Sequence, residues 1–228
     1  MALSSYLMQE LIKRIRPGQR IASMGYPDII ITPDEVTAIV GNVSLKYLDK
    51  SVSKRHGVSY LLPDAQNFFN SLNIELDVYD VVKERGCEII CDLNYPLNTI
   101  QDYDVVIDVG TMEHCFNIGQ AMMNMASLVK LNGYIIHENP FLAGNHGFYG
   151  INPTLYVDFY EQNGFEIEML NLADMHGGKF IHDAPRTKRF QISSPQELSC
   201  IAVAKRKVIK EFTYPIQTKY KQLLGEAK

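Results

Sequence analysis

The chain has 228 residues, of which 46% are hydrophobic and 21% charged, and this mixture excludes a disordered chain, a collagen-like chain and a disulfide-stapled miniprotein. Its net charge of −4 argues against a general electrostatic attraction to nucleic acid. Residues 205–228 carry a local charge of +5, which predicts a solvated face or, alternatively, a surface for a partner. We therefore expect one domain over residues 1–228 that ends in this basic tail.

The cysteines indicate a reducing compartment. Cys87 and Cys91 are spaced C-x3-C, Cys115 and Cys200 stand alone, and no second pair completes a zinc site. The first residues lack the order of a signal peptide, and no apolar run approaches the roughly 18–20 residues of a membrane span. We expect free thiols, no metal, no membrane span and a cytoplasmic location.

Hydrophobic periodicity and turn residues predict helices and strands that alternate along the chain. The clearest helix start is at Thr32, because Pro33 suits the first helical position and Glu35 can reach back to the cap. Lys54–Gly57 is predicted as an exposed loop. The other predicted helices are 4–15, 64–73, 117–130 and 153–163, and the strands are 20–24, 73–78, 88–91, 104–109, 134–137, 165–169 and 199–204.

Strands that alternate with helices favour a mainly parallel sheet. The apolar run at residues 104–109, DVVIDV, is typical of a central strand covered on both faces. Ligands of such sheets bind outside the carboxyl ends of the strands. The functional residues should therefore follow the strands directly.

The first strands are followed by a glycine and by carboxylates. Gly25 follows the first strand, where it permits a tight turn and close approach of a ligand, although an ordinary turn is an equal alternative. Asp77 is our first candidate for a carboxylate that accepts the hydroxyls of a ribose. Asp80 is the second candidate, and it can instead cap the next helix.

The later strands are followed by polar residues as well. Asp92 and Leu93 can contact an adenine, or Asp92 can simply cap a turn. Gly110 permits close approach of a ligand, and Glu113-His114 follows it, although such a pair alone is weak evidence of chemistry. Residues 142–153 form a long loop with glycines, aromatics and His146, which indicates a lid or, alternatively, a flexible connector.

Residues 103–141 and 145–167 resemble class I S-adenosylmethionine-dependent methyltransferases, in particular those of surface-polysaccharide and secondary-metabolite pathways. The shared features are the fourth strand with its glutamate–histidine pair, the next helix, and the turn into the fifth strand. The family's first, glycine-rich motif is degenerate here, since Ser23 stands where its acid is usual and Pro27 and Ile29 where glycines are usual. The long interval between Gly25 and Asp77 then requires an insertion at about 41–70.

The resemblance implies a Rossmann-like, mainly parallel seven-stranded sheet with helices on both faces and an antiparallel last strand. It implies S-adenosylmethionine as the cofactor. By position, the binding residues would be Gly25, Asp77, Asp80, Asp92, Leu93, Val109, Gly110 and Thr111.

The implied reaction is methyl transfer to a small molecule, such as O-methylation of a sugar, sugar nucleotide or other metabolite. A hydroxyl acceptor needs a base, and a histidine suits this near neutral pH. We rank His146 ahead of His114, whereas His137 should end a buried strand and hold structure. The alternatives are a degenerate fold that binds a ligand or partner without catalysis and, less favoured without a G-x-G-x-x-G motif, a nucleotide-dependent oxidoreductase.

Overall fold

The computed structural model describes residues 2–98, 102–175, 180–186, 188–192 and 196–223. These residues form one central sheet with helices on both faces and a small second sheet. The strands are β1 (Ala2–Ser4), β2 (Arg20–Met24), β3 (Asp28–Ile30), β4 (Glu75–Asp80), β5 (Glu88–Ile90), β6 (Tyr103–Val109), β7 (Val129–Leu142), β8 (Phe165–Asp174), β9 (Phe180–Asp183) and β10 (Leu198–Arg206). The helices are α1 (Ser5–Ile12), α2 (Pro33–Val40), α3 (Lys50–Arg55), α4 (Ala65–Ser71), α5 (Ile118–Leu128), α6 (Pro153–Gln162) and α7 (Thr218–Leu223).

The central sheet has the strand order β5-β4-β2-β6-β7-β10-β8-β9. The first five strands in this order are parallel, and β10 is antiparallel to both of its neighbours, β7 and β8. The Rossmann-like, mainly parallel sheet with an antiparallel last strand is therefore confirmed. The short edge strand β9, which pairs antiparallel with β8, extends the predicted seven strands to eight.

The core lies on both faces of this sheet because the central strand β6 is apolar on both sides. Val105, Ile107 and Val109 pack with residues of α1, α2 and α4, whereas Val106 packs with residues of α5 and α6. All four are at most 4% exposed. Burial on both faces explains why this strand has a nearly continuous apolar sequence.

The predicted start of α2 is confirmed in detail. The Thr32 side chain accepts from the backbone N–H of Glu35, and the Glu35 carboxylate accepts from the backbone N–H of Thr32. This reciprocal capping satisfies two helix-end donors. The helix therefore begins at a defined residue beside the strand ends.

The strand predicted at residues 73–78 is displaced by two residues, since β4 spans Glu75–Asp80. Asn73 has a φ of +56°, so it ends the turn that follows α4 and cannot belong to the strand. The displacement moves Asp77 from the predicted end of the strand to its middle, and it makes Asp80 the last residue.

The predicted exposed loop at Lys54–Gly57 is wrong in part. Lys54 and Arg55 form the last turn of α3, and the His56 side chain is only 16% exposed. His56 Nε2 lies 2.8 Å from the buried carboxylate of Asp28. The sequence contains no local signal for this contact, since it joins residues 28 positions apart.

The segment predicted as an insertion, about 41–70, contains α3 and most of α4. Phe68 and Phe69 of α4 are fully buried in the core beside the sheet. This part of the segment therefore belongs to the main core. The loop residue Tyr47 pairs with Pro63 in an isolated bridge.

A short parallel sheet, absent from the sequence prediction, joins the first described residues to the chain after β2. Ala2, Leu3 and Ser4 of β1 pair with Asp28, Ile29 and Ile30 of β3. This pairing holds the start of the chain beside the carboxyl ends of the central strands. In the described part of the chain, no helix is long and apolar enough to cross a membrane.

The basic tail is partly a structural element. The Arg206 side chain is buried and donates to the backbone carbonyls of Ala126 and Val129. Phe212 stacks on Phe159 of α6, with 6.2 Å between ring centroids. The tail residues around Phe212 therefore cover α6, which composition alone could not predict.

Candidate active site

The carboxyl end of β6 and the C-terminal half of β7 border a cavity of about 600 Å³. A volume of this size suits a small-molecule ligand. Residues of β1, the first residue of α1 and the start of α2 close its other side. The described lining residues are Ala2, Ser4, Ser5, Ile30, Thr32, Glu35, His56, Tyr60, Val109, Gly110, Glu113, His114, Glu138, Asn139, Pro140, His146, Met175 and Ser199.

Both histidines predicted as bases meet at this cavity, with a carboxylate between them. His146 Nε2 lies 3.5 Å from Glu113 Oε1, and His114 Nε2 lies 3.8 Å from the same oxygen. The imidazole rings are 5.5 Å apart, and both are partly exposed, whereas Glu113 is fully buried. We call Glu113, His114 and His146 the histidine–glutamate cluster.

Burial shifts the proton affinities of this cluster. Removal from water, reinforced by the nearby charge of Asp108, raises the pKa of Glu113 to about 7. Burial and the neighbouring His146 lower the pKa of His114. Perturbed groups in one cavity are typical of functional sites.

A buried network fixes the carboxylate of Glu113. Asn139 Nδ2 donates to Glu113 Oε2 at 3.0 Å and to Asp108 Oδ2 at 3.1 Å. Asp108 also contacts His137 Nδ1 at 2.8 Å, and the other nitrogen of His137 contacts the Tyr160 hydroxyl. His137 therefore has the structural role that the sequence predicted, but it lies within β7, which continues to Leu142, rather than at the end of a strand. The network leaves Glu113 Oε1 directed toward the two histidines.

The loop that carries His146 is hydrogen-bonded to the segment after β6 that carries Glu113 and His114. The backbone N–H of Phe148 donates to the carbonyl of Glu113, and Tyr149 donates to the carbonyl of Phe116. Gly147 has a φ of +75°, and a Cβ there would lie 2.8 Å from Glu113 Cγ. Glycine at this position permits the loop to rest directly on Glu113. Whether the loop opens as a lid stays a prediction.

A second buried carboxylate, Glu138, borders the same cavity from within β7, four residues before the strand ends at Leu142. Burial raises its pKa to about 7, although the hydrogen bond from Ser199 acts in the opposite direction. Ser199 donates to Oε1 at 2.9 Å, and Oε2 has no hydrogen-bond partner. The cavity therefore contains two carboxyl groups that can change protonation near neutral pH.

The predicted glycines occupy the expected turns. Gly25 has a φ of +79° directly after β2, and Gly110 has a φ of +76° directly after β6. The Thr111 hydroxyl donates to the carbonyl of Met24 at 2.6 Å, which ties the two strand ends together. Val109 and Gly110 also line the cavity.

The two candidate ribose carboxylates differ in position. Asp77 lies in the middle of β4 and accepts from Arg20 and from the Tyr103 hydroxyl, each at 2.7 Å. Asp80 is the last residue of β4, beside Gly25, and its Oδ1 accepts from the backbone N–H of Val82 at 3.1 Å. Only Asp80 thus lies at the strand end where a ribose is expected.

Asp92 and Leu93 follow β5 as predicted, but both also have structural roles. Asp92 Oδ1 accepts from the backbone and side-chain nitrogens of Asn94, which makes it a turn cap. Leu93 is 5% exposed and belongs to the core. Asp92 is exposed and retains oxygens that a ligand could reach.

Sequence reasoning missed Glu138 and Asn139 as site residues. Both come directly after the predicted strand at 134–137, so the rule that identified Gly25 and Gly110 could have indicated them, although β7 itself continues past them to Leu142. The contributions of Ser4, Ser5 and Glu35 had no such signal. Those residues reach the cavity through the long-range pairing of β1 with β3.

A larger cavity of about 1000 Å³ lies elsewhere, between Tyr149–Leu155, residues 185–186 and 188–191, and the tail. Its described lining includes Arg186, Lys188 and Arg189 but none of the predicted site residues. We place the candidate site at the smaller cavity, because that one contains the perturbed, converging polar groups.

Comparison with known proteins supports the fold class. No family model and no curated protein match the chain. Among solved structures, a candidate methyltransferase from Bacillus halodurans C-125 superposes with a TM-score of 0.50 at 9% identity, over 90% of this chain and 100% of that one. An O-methyltransferase from a Brevibacillus brevis polyketide synthase, in complex with S-adenosyl-L-homocysteine, gives 0.49 at 10% identity over 87% and 71%.

The class that these observations define is a Rossmann-like fold similar to class I S-adenosylmethionine-dependent methyltransferases. At 9% identity, the similarity establishes the fold alone.

Proposed function

We propose that this protein is an S-adenosylmethionine-dependent methyltransferase that methylates an oxygen of a polar small molecule. The observation that carries the proposal is the position of the histidine–glutamate cluster. It borders a cavity that begins at Val109 and Gly110, the strand end predicted to lie beside the reactive sulfonium.

The residues at the strand ends fit the cofactor. Asp80 would accept the ribose hydroxyls, because it ends β4 and is partly exposed. Gly25 and Gly110 would permit close approach through their positive φ angles. Asp92 and Leu93 would border the adenine, with Thr111 beside the methionine part. Asp77 is the predicted residue that fits less well, since it lies in the middle of β4 and Arg20 and Tyr103 both donate to its Oδ2.

When bound, the cofactor supplies an electrophilic methyl group on a positively charged sulfur. The chain would hold the acceptor in line with that group, since alignment alone can contribute greatly to the rate. Ser4, Ser5 and Thr32 border the cavity. The hydroxyls of Ser5 and Thr32 already donate to Glu35, but their oxygens can still accept hydrogen bonds from a polyhydroxylated acceptor such as a sugar or sugar nucleotide. His146, which is partly exposed like His114, can accept the proton that leaves the acceptor hydroxyl.

One observation favours the alternative of a degenerate fold that binds a ligand or partner without methyl transfer. The residues after Gly25, where the family has further glycines, are engaged with the protein itself. The Tyr26 hydroxyl donates to Asp64, and the Asp28 carboxylate contacts both His56 and Arg85. A cofactor must then bind with few hydrogen bonds to this loop.

Calorimetry on the 228-residue chain with S-adenosylhomocysteine and NAD separates these functions. We expect saturable binding of S-adenosylhomocysteine and none of NAD. Binding of NAD alone would indicate an oxidoreductase, and binding of neither would favour the degenerate fold. A cytoplasmic location, which we keep as part of the proposal, accords with four cysteines that are all free thiols.

A further inference from the structure

The histidine–glutamate cluster has the dimensions of a metal site. One ligand atom from each of its three residues, a carboxylate oxygen and two imidazole nitrogens, lies within 4.8 Å of the other two. Metal–ligand bonds of about 2.1 Å at angles of 90–110° place neighbouring ligand atoms about 3.0–3.4 Å apart. The two distances to Glu113 Oε1, 3.5 and 3.8 Å, are within small side-chain rotations of that range.

The burial of Glu113 and its unpaired carboxylate oxygen are an independent observation that points to a ligand. Its side chain is fully buried, and its Oε1 has no hydrogen-bond partner although Oε2 is held by Asn139. A buried carboxylate oxygen without a partner is costly unless a cation or a donor compensates it. Oε1 is directed at the two histidine nitrogens, where a shared cation would satisfy all three groups at once.

The donor set restricts the identity of the ion. Mg²⁺ and Ca²⁺ prefer oxygen ligands, whereas two imidazoles and one carboxylate suit first-row transition ions and Zn²⁺. Two-histidine, one-carboxylate sites leave coordination positions open for exogenous ligands. Here the histidines are 41% and 54% exposed and line the cavity, so those positions would face it.

We propose that Glu113, His114 and His146 bind one divalent transition-metal ion or Zn²⁺, with its open positions directed into the cavity. Asn139 and Asp108 orient the carboxylate from behind, as outer residues of metal sites commonly do. The proposal replaces the prediction of no metal. With the ion bound, His114 and His146 act as metal ligands, and this role takes the place of the base role proposed for His146 in the metal-free site.

If the proposed methyltransferase function holds, on which this step rests, the ion also defines the acceptor class. An oxygen acceptor, such as a hydroxyl or a vicinal diol, can fill the open positions and is more acidic when coordinated. An amine that is protonated at neutral pH lacks the lone pair needed for coordination.

Metal binding can be tested without any acceptor. The 228-residue chain is stripped with EDTA and titrated with Mn²⁺, followed by the electron paramagnetic resonance signal of the free ion, and with Zn²⁺, followed by calorimetry. We expect one ion per chain. His146→Gln, at a partly exposed residue, should weaken binding at least about 100-fold, as should Glu113→Gln if that buried variant folds.

His56→Gln is the matched control. His56 lines the same cavity but contacts Asp28, so this variant should retain the affinity of the natural chain. No saturable binding of either ion to the natural chain overturns the proposal. Equal affinity in a folded His146→Gln variant also overturns it, because the ion would then bind elsewhere.

Calorimetry with S-adenosylhomocysteine, carried out on the stripped and the metal-loaded protein, separates this proposal from the proposed function. Binding of one metal ion without S-adenosylhomocysteine binding would support the metal site and contradict the methyltransferase. Binding of S-adenosylhomocysteine without saturable metal binding would overturn the metal site and leave the methyltransferase standing.

Discussion

At the scale of single residues, the position of a carboxylate within β4 decides its role. Asp80 ends the strand beside Gly25, whereas Asp77 is held by Arg20 and Tyr103 three residues earlier. The sequence ranked Asp77 first because the predicted strand ended at Val78. The true end of the strand depends on the parallel pairing of Val78, Tyr79 and Asp80 with β5, a contact between distant segments that no local pattern indicates.

We expect Asp80→Asn to weaken S-adenosylhomocysteine binding at least about tenfold, since hydrogen bonds to a charged group contribute about 1.5–3 kcal/mol each. Calorimetry measures the loss. Asp77→Asn is the control, and it should lower the melting temperature through the weakened Arg20 contact while leaving affinity unchanged. A loss of affinity in the Asp77 variant alone would show that Asp77, the residue that the sequence ranked first, binds the ribose.

Glu10 gives a residue-scale prediction about pH. Burial alone would raise its pKa, but hydrogen bonds and charges from Lys13 and Arg14 outweigh it and lower the pKa below its usual value. A carboxyl group whose pKa is depressed on folding contributes stability above its unfolded pKa and loses it as the pH falls through the folded value. Glu10→Gln should therefore be less stable than the natural chain at pH 7, by about 1 kcal/mol.

The difference should shrink below about pH 4.3, the ordinary glutamate pKa, as the natural carboxyl group becomes protonated. Urea unfolding of both proteins between pH 3 and pH 8 measures it. A difference in stability that stays constant over this range would show that packing, not charge, accounts for the effect of Glu10.

At the scale of elements, the loop between β7 and α6 positions His146 through Gly147. Gly147→Ala should lower stability by more than about 1 kcal/mol, because its φ of +75° disfavours a side chain and the new Cβ would meet Glu113. The displaced loop should also weaken metal binding. Thermal melting and the Mn²⁺ titration measure the two effects.

Gly144→Ala, in the same loop, is the matched control. A Cβ at Gly144 meets no atom within 4 Å, so this variant should keep both stability and metal affinity. If Gly147→Ala behaves like Gly144→Ala, the loop does not depend on close contact with Glu113, and the lid hypothesis for residues 142–152 gains support.

The covering of α6 by the tail is also testable. Phe212→Ala should reduce the free energy of unfolding by about 1–2 kcal/mol, since a partly buried ring that stacks on Phe159 is removed. Tyr214→Ala is the control, because Tyr214 is 81% exposed. Equal unfolding midpoints in urea for the two variants would show that the tail is only a solvated face, as its charge first suggested.

At the scale of the whole molecule, local sequence patterns predicted the helices and strands whose positions depend on neighbouring residues. The capping box at Thr32, the buried strand β6 and the helix opened by Pro153 were all evident from periodicity and turn residues. The small β1–β3 sheet was not, because it depends on contacts between distant segments.

The same distinction applies to the site. Gly25, Gly110 and His114 were identifiable because they follow strands, and His146 because its loop is unusual in composition. The convergence of His146 with Glu113, 33 positions away in the chain, arises from the tertiary fold. Consequently the sequence identified both candidate bases but could not indicate that they share a buried carboxylate.

The most direct test of the central claim is a crystal structure of the protein grown with S-adenosylhomocysteine and Mn²⁺. We expect the ribose on Asp80, the adenine beside Asp92, and an anomalous peak about 2.0–2.2 Å from Glu113, His114 and His146. The sulfur should lie beside Gly110, facing the cavity. S-adenosylhomocysteine absent from the ends of β2, β4 and β6, or bound at another place, would contradict the account.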